Sequence, residues 1–435
     1  MPRNAYLAMA ALAAVLSGCG VASTPTAAAP TTTSPIATTD TTQTASATSS
    51  PVVAVAQSAP TMRFLSEPQA GIAPWLTAIQ GAQHSIAVNE YLLTDYSLIA
   101  ALRQAAQRGV AVDVIIDGEP YGDASAVATT RTAFAGSKVH LRLAPARFTG
   151  SWQYDHAKYL VVDAGTPHAL AIVGSPNGTA SAFDGSNLED AIETSAPTVT
   201  RSLAAVFHAD WTNTRAGTGP RKTLVLSPGS QTTLLSLLRN KGPVEVMAEE
   251  LGDAAVLYQA LDAHGSGARV LVPMSLSAED QQYAATLEQK GVQVRTLSAP
   301  YVHAKLIVTP TETFVGSQNF SEVSLAANRE AGLITRAASI HAQALAWFNA
   351  EWVRATPWKS PASVSTAPVS SRSGSGSGSL PYIPKGDTPA QVERLWGNPS
   401  SISYDTYQGV PETVWHYAGG TVYFEHGVVS YVNRA

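Results

Sequence analysis

The same order of segments runs twice through this chain, and no other feature of the sequence restricts its fold so tightly. The first pass opens with "AQHSIAVNEYLL", continues through the helix-like "SLIAALRQAAQRG" and reaches the strand-like "VAVDVIIDG". The second opens with "GPVEVMAEEL", then "AAVLYQALDAHG", then "ARVLVPM". Strand, helix and strand in that order predict a parallel α/β unit used twice. The correspondence continues: "YDHAKYLVVD" with "YVHAKLIVTP", "VGSPN" with "VGSQN", "NLEDAIET" with "NREAGLIT", and "FHADW" with "FNAEW". A whole order of motifs repeated in register predicts a duplicated α/β domain with two similar halves.

In each "HAK" one residue separates the histidine from the lysine. On an extended strand His156 and Lys158 therefore share a face, as do His303 and Lys305. Each half offers one imidazole and one ammonium to the same space. Ser175 and Asn177 in the first half, and Ser317 and Asn319 in the second, add neutral hydrogen-bond donors on loops beside the strand ends. Neither half contains a GxxxxGK phosphate loop or an HExxH zinc helix.

Two copies of HxK followed by GSxN and then an acid resemble the phospholipase D superfamily, over roughly residues 61 to 355. The resemblance implies two pseudo-symmetric α/β halves packed around one shared active site, and cleavage or transfer at a phosphodiester without a metal or other cofactor. Preset cations and donors lower the barrier as negative charge builds on the phosphoryl oxygens. By the same resemblance His156 is the nucleophile that forms a phosphohistidine and His303 the general acid. Glu189 and Glu330 each accept a hydrogen bond from a catalytic imidazole, which sets the tautomer and stabilises the imidazolium. Lys158, Lys305, Asn177 and Asn319 complete the expected catalytic set, with Ser175 and Ser317 as substrate-binding donors. Asp163 closes the first HxKx4D and is read as structural. Pro310 stands where its second-half counterpart should be, so the strand beyond Val308 must end early or bend, because proline cannot donate to a ladder.

Other residues carry blander expectations. Trp211 and Trp352 recur at equivalent places and read as core anchors. Trp152, Tyr154 and Tyr301 stand just before the histidines, where lining the pocket and simple packing are both open. Glu90 and Glu250 follow the first strand of each half, where reaching the pocket rim is open and a solvated strand end is the safer reading. His208, His264, His416 and His426 have no partner pattern.

Outside the repeat, a basic Arg3 and the apolar run Ala5 to Val15 resemble a signal peptide, and the following Leu16-Ser17-Gly18-Cys19 a bacterial lipobox. Cys19 is the only cysteine of the 435 residues, which excludes an internal disulfide or a cysteine-cluster metal site and fits lipid attachment. Charged residues make up 14%, against roughly 25% in ordinary soluble chains, because two polar segments dilute them. The expected organisation is a leader over 1–19, a Thr/Ser/Ala/Pro linker over 20–60, phospholipase D-like halves over 61–218 and 219–355, a flexible linker over 356–380, and a small α+β module over 381–435. The pattern of that last module loosely resembles the BamE-type domains of envelope lipoproteins and suggests an envelope protein as its partner.

A net charge of −5 gives no general attraction to polyanions. The expectation is therefore a lipid-anchored envelope enzyme, monomeric in its catalytic unit, that hydrolyses phospholipid headgroup esters at a membrane. An extracytoplasmic nuclease of the same superfamily and an inactive envelope interaction protein are the alternatives, with nucleic acid a less favoured substrate.

Overall fold

The computed structural model describes residues 61–359, apart from 122, 150–152 and 253, and in the C-terminal part residues 383, 389–407, 410–417, 419–425 and 428–434. The expectations about Cys19, the leader, the first linker, Trp152 and His426 lie outside the described residues, as does the second linker beyond 359; its first residues are no linker, because Thr356 and Pro357 pair with Thr296 and Arg295 as a sheet strand and Trp358 is buried. No described helix is long and apolar enough to cross a membrane.

The first half runs β1 (Met62–Glu67), α1 (Ala73–Gly81), β2 (Ser85–Glu90), α2 (Tyr96–Gln107), β3 (Ala111–Ile116), α3 (Ala124–Phe134), β4 (His140–Leu143), β5 (Tyr159–Val162), β6 (Leu170–Gly174), β7 (Asn187–Thr194) and α4 (Pro197–Trp211). The second runs β8 (Val225–Ser227), α5 (Gln231–Leu238), β9 (Val244–Met247), α6 (Ala255–Asp262), β10 (Ala268–Pro273), α7 (Ala278–Gln289), β11 (Gln293–Leu297), β12 (Tyr301–Val302), β13 (Leu306–Val308), β14 (Thr313–Gly316), α8 (Glu322–Ala326), β15 (Glu330–Thr335), α9 (Ala338–Arg354) and β16 (Thr356–Pro357). Local chemistry explains the main boundaries. Asp95 caps α2 by accepting from the amides of Ser97 and Leu98, and Ser277 with Asp280 forms a capping box on α7.

The duplication is visible in the sheets. The first has the order β1-β7-β6-β5-β2-β3-β4, and the second, read from its far edge, β8-β15-β14-β13-β9-β10-β11-β16. Position by position these are the same topology. The strand-helix-strand units are parallel as expected, β2 with β3 and β9 with β10, while the HxK-bearing segments lead into strands that pair antiparallel to β2 and β9. Both sheets are covered on two faces, so β5 reads as an unbroken buried run. Tyr159 and Val161 enter an apolar cluster with Leu306, Val308, Val315 and Leu333 of the second sheet, filled out by Leu203 and Phe207 of α4 and by Trp347, Phe348 and Trp352 of α9. Leu160 and Val162 face the other way, towards α1 and α2. Trp352 and Trp211 both serve this packing, stacked on Phe348 and Phe207.

The two copies differ at the far end of the HxK strands. Asp163, at a φ of 48°, accepts from the backbone amides of Gln83, His84 and Ser85 and so ties the end of β5 to the start of β2. In the second half β13 stops at Val308 and Pro310 packs against Gly242, where an added Cβ would lie 2.7 Å from the proline ring. A contact between apolar surfaces replaces a hydrogen-bonded tie.

Polar links also join the halves. Arg329, preceding β15, donates from Nε and Nη2 to Asp210 of α4 at 2.8 and 2.9 Å, and from Nη1 to the carbonyl of Ser227. Asp210 also accepts from Arg147 Nη2 at 2.6 Å, so the buried Asp210 is held by two guanidiniums, whereas buried Arg329 depends on Asp210. The C-terminal part forms α10 (Pro389–Trp396) and a four-stranded antiparallel meander of β17 (Ser401–Tyr407), β18 (Val410–Tyr417), β19 (Gly420–Glu425) and β20 (Val428–Arg434). Trp396, Trp415, Val422, Phe424 and Val429 make its own core. Asp210→Leu, which leaves buried Arg329 without its carboxylate, is expected to cost about 3–5 kcal/mol in denaturant unfolding, and Arg329→Met, which leaves Asp210 its contact with Arg147, to cost less.

Candidate active site

Neither HxK triplet lies within a regular strand. Residues 156–158 fall between the bridge at Asp155 and β5, and residues 303–305 fall between β12 and β13. In each break the lysine turns back on its own motif: Lys158 Nζ donates to the carbonyl of His156 at 2.6 Å, and Lys305 Nζ to that of His303 at 2.6 Å. The expected sharing of a face holds, but the backbone departs from the ladder to achieve it.

The break is where the two halves exchange backbone hydrogen bonds. His156 N donates to Arg329 O and Arg329 N to Tyr154 O. On the other side, His303 N donates to Leu188 O and Tyr301 N to Ser186 O, with β12 running parallel to the start of β7. The residues that follow Arg329 and Leu188 are Glu330 and Glu189. Each glutamate therefore meets the histidine of the opposite half: His156 Nδ1 lies 3.0 Å from Glu330 Oε2, and His303 Nδ1 lies 2.7 Å from Glu189 Oε2.

The glutamates are fully buried and densely held. Glu330 accepts from Ser317 at 2.6 Å, Ser324 at 2.8 Å and Asn328 at 3.0 Å, and Glu189 accepts from Ser175 at 2.6 Å and Asn187 at 3.0 Å. Burial alone would raise both carboxyls, but the facing histidine, the hydrogen bonds and a lysine bring each below the ordinary carboxylate range. Ser175 and Ser317, expected to bind substrate, are instead fully buried with their hydroxyls committed to the acids. Their role in this geometry is to orient Glu189 and Glu330. The preceding glycines are required by close packing: a Cβ on Gly174 would lie 2.1 Å from the Asp190 carbonyl, and one on Gly316 would lie 2.8 Å from Gly332 Cα.

Asn177 and Asn319 sit at the ends of the GSxN loops. Asn319 Nδ2 lies 3.4 Å from Glu249 Oε2. Burial chiefly, then Lys305, pulls Lys158 down to about 8 against the opposing pull of Glu330. Burial and the two lysine charges also hold the His156 imidazole below its ordinary range, Glu330 opposing them. Tyr91 lies edge-on to His156, with ring centroids 4.8 Å apart, and its face carries Lys158 Nζ at 5.0 Å. Tyr154 packs against Tyr91, and Tyr301 OH lies 3.5 Å from Glu249 Oε1, so both aromatics ahead of the histidines reach the site.

Two expectations need correcting and several residues were missed. Glu90 is no solvated strand end: it is buried, accepts from the amide of Gly178 in the first GSxN loop, and is pushed well above the carboxylate range by burial. Glu250 is half-buried and raised to about 7, by burial and then by Glu249. Asn187 and Asn328 were legible as the repeated N-x-E, an i, i+2 pair on one face, but were not singled out. Tyr91 and Glu249 carry no such mark, because they occupy equivalent positions with different residue types. Asp163 lies at the opposite end of β5 from His156 and holds backbone only. His264 Nδ1 and Nε2 lie 3.1 and 2.6 Å from the carbonyl oxygens of Gly242 and Leu238, and His416 pairs with Ser403, both away from the histidine pair.

Two like α/β halves, each lending a histidine to the other half's glutamate beside a buried lysine, define the class: a duplicated phospholipase D-type fold. The chain belongs to the family described as "Cardiolipin synthase, PLD-like domain", which matches residues 75–211 and 243–352. The fold is similar to that of phosphatidylserine synthase from Haemophilus influenzae, with a TM-score of 0.52 at 12% identity over 68% of this chain and 87% of that one. It is also similar to polyphosphate kinase from Porphyromonas gingivalis, with a TM-score of 0.52 at 14% identity over 67% of this chain; the match spans 50% of the kinase. No curated protein matches the chain. Because Ser317 holds Glu330, Ser317→Ala is expected to lower kcat about tenfold, the worth of one charge-assisted hydrogen bond, and to leave KM unchanged; a rise in KM alone would restore the substrate-binding role.

Proposed function

We propose that this protein is a phosphodiesterase that hydrolyses phospholipid headgroup esters through a phosphohistidine at His156. The observation that carries the reading is the pair of crossed histidine–glutamate contacts, at 3.0 and 2.7 Å, flanked by the ammoniums of Lys158 and Lys305. Both the family description and one of the structural neighbours are named for phospholipid chemistry, which supports lipid as the substrate class.

The two imidazoles are unequal. His156 Nδ1 donates to Glu330, which leaves Nε2 with a lone pair when the ring is neutral, and its surroundings favour the neutral form. His303 stands between two carboxylates, Glu189 at 2.7 Å from Nδ1 and Glu249 at 3.5 Å from Nε2, so the proposed acid has a negative group on each side. In the first step His156 Nε2 attacks phosphorus, a P–N bond forms, the P–O bond to the leaving alcohol breaks, and His303 gives that oxygen its proton. Lys158, Lys305, Asn177 and Asn319 stabilise the charge on the non-bridging oxygens. In the second step neutral His303 takes a proton from water, the water oxygen attacks phosphorus, and the P–N bond breaks to return His156 and release the phosphomonoester.

Wild-type protein and His156→Asn are to be compared on phospholipid vesicles and on plasmid DNA, both with chelator present. The expected result is headgroup release by the wild type and a loss of about a thousandfold in the variant. Cleavage of DNA with lipid untouched would instead assign the nuclease, and equal slow rates for both proteins would assign an inactive scaffold.

The pH profile of kcat/KM follows from the shifts. His156 must be neutral to attack and its imidazole is lowered, so the acid limb is expected below the usual imidazole range. Lys158 must be charged and is lowered to about 8, so the basic limb is expected no higher than about pH 8.

A further inference from the structure

The pseudo-symmetry fails at one position inside the site. Asn89 of β2 pairs with Tyr159, and Met247 of β9 pairs with Leu306; Tyr159 and Leu306 each stand three residues after their histidine. Two residues beyond Asn89 and Met247 lie Tyr91 and Glu249, which are therefore equivalent. Where the first half has a neutral ring against its histidine and lysine, the second has a carboxylate. Glu249 Oε2 lies 2.6 Å from Lys305 Nζ, 3.4 Å from Asn319 Nδ2 and 3.5 Å from His303 Nε2. These are the second half's donors for a phosphoryl oxygen, so the carboxylate rests on the groups that substrate must engage. Although burial raises it, His303 and Lys305 hold Glu249 far below the ordinary carboxylate range, and it is charged whenever the site is empty.

Charge bookkeeping shows what this does. Lys158 and Lys305 face the carboxylates of Glu189, Glu330 and Glu249, while burial pushes Glu90 well above the ordinary carboxylate range. The empty site thus holds no surplus of lysine charge over carboxylate. A phosphodiester adds one negative charge and takes Lys305 and Asn319 away from Glu249. A carboxylate left without partners in a largely buried place is costly unless the ligand supplies a positive group. Glu249 lies beside His303 Nε2, on the side where the leaving alcohol receives its proton.

We propose that Glu249 is a specificity-determining residue that selects phosphodiesters whose leaving alcohol carries an ammonium group, as a short amino alcohol does, over diesters of uncharged alcohols. The inference rests on the general-acid role proposed for His303. Once phosphate displaces the carboxylate from Lys305, Glu249 accepts the ammonium of the departing alcohol. First-half Tyr91 leaves the other side of the site without that demand.

The test compares kcat/KM for glycerophosphoethanolamine and glycerophosphoglycerol in solution, and for phosphatidylethanolamine and phosphatidylglycerol in vesicles, in wild type, Glu249→Gln and Glu249→Asp. Wild type is expected to favour the ethanolamine diester at least tenfold, E249Q to bring the ratio near one, and E249D to keep part of it. Calorimetric binding of inorganic phosphate, which needs no turnover, is expected to tighten about tenfold in E249Q because the competing carboxylate is gone. Discrimination in the soluble pair with no reaction on vesicles would sink the lipid reading and leave this one standing. Loss of the vesicle reaction's headgroup ratio in E249Q would support both. A wild-type ratio near one, no turnover of either soluble diester, an equal fall on both diesters in E249Q, or unchanged phosphate binding would each overturn the proposal.

Discussion

The centre of this protein depends on a backbone exchange across its pseudo-twofold axis. His156 N bonds Arg329 O and His303 N bonds Leu188 O, and in each case the next residue of the partner segment is the glutamate that the histidine ring meets. One backbone hydrogen bond per side therefore sets a side-chain distance. A slip of one residue would turn the carboxylate to the opposite face of its strand and leave the imidazole without an orienting partner. It follows that neither half holds a complete site, since each contributes a histidine and lysine to one pair and a glutamate to the other.

Such an arrangement places several charges where water does not reach, and the structure supplies enough partners to hold them. Glu330 accepts from His156, Ser317, Ser324 and Asn328, and Arg329 beside it clamps Asp210 through two nitrogens. Buried polar networks of this kind stabilise only when nearly every member is satisfied, and then they specify one geometry. The serines and glycines of the GSxN motifs belong to this economy: the glycines let neighbouring strands close up, and the serines hold the acids. Of the asparagines that end the motifs, Asn319 reaches Glu249 beside His303.

Duplication supplies the geometry, and divergence between the copies makes its two sides unequal. At the far end of the HxK strands the Asp163 tie is replaced by Pro310 packed on Gly242, and Pro310 in place of the second aspartate made the early stop at Val308 legible in the sequence. At the near end Tyr91 is replaced by Glu249. That substitution changes charge beside one histidine and not the other, and it was not legible: aligning the repeats by residue type pairs glutamates with glutamates, whereas the ladder register pairs Tyr91 with Glu249. Glu90 was misread for a related reason, because a charged residue at a strand end is ordinarily solvated and only the packing of the GSxN loop over it removes the water.

What the sequence determined by itself was local order. The repeated strand-helix-strand units, the HxK and GSxN motifs, the ending of β13 and the four C-terminal strands all follow from short-range spacing, residue type and the places where proline and glycine interrupt a pattern. It also marked the histidines, lysines and glutamates that the fold brings together. Only the tertiary structure decided how they pair. His156 and Glu330 are 174 residues apart, and the separation of His303 from Glu189 is likewise long. Repeats aligned within a sequence suggest contacts within each half, but sheets packed about a pseudo-dyad bring each motif against the opposite copy. The orienting role of the serines, the burial of Glu90 and the carboxylate resting on Lys305 arise there, where distances are set by packing between elements and not by spacing along the chain.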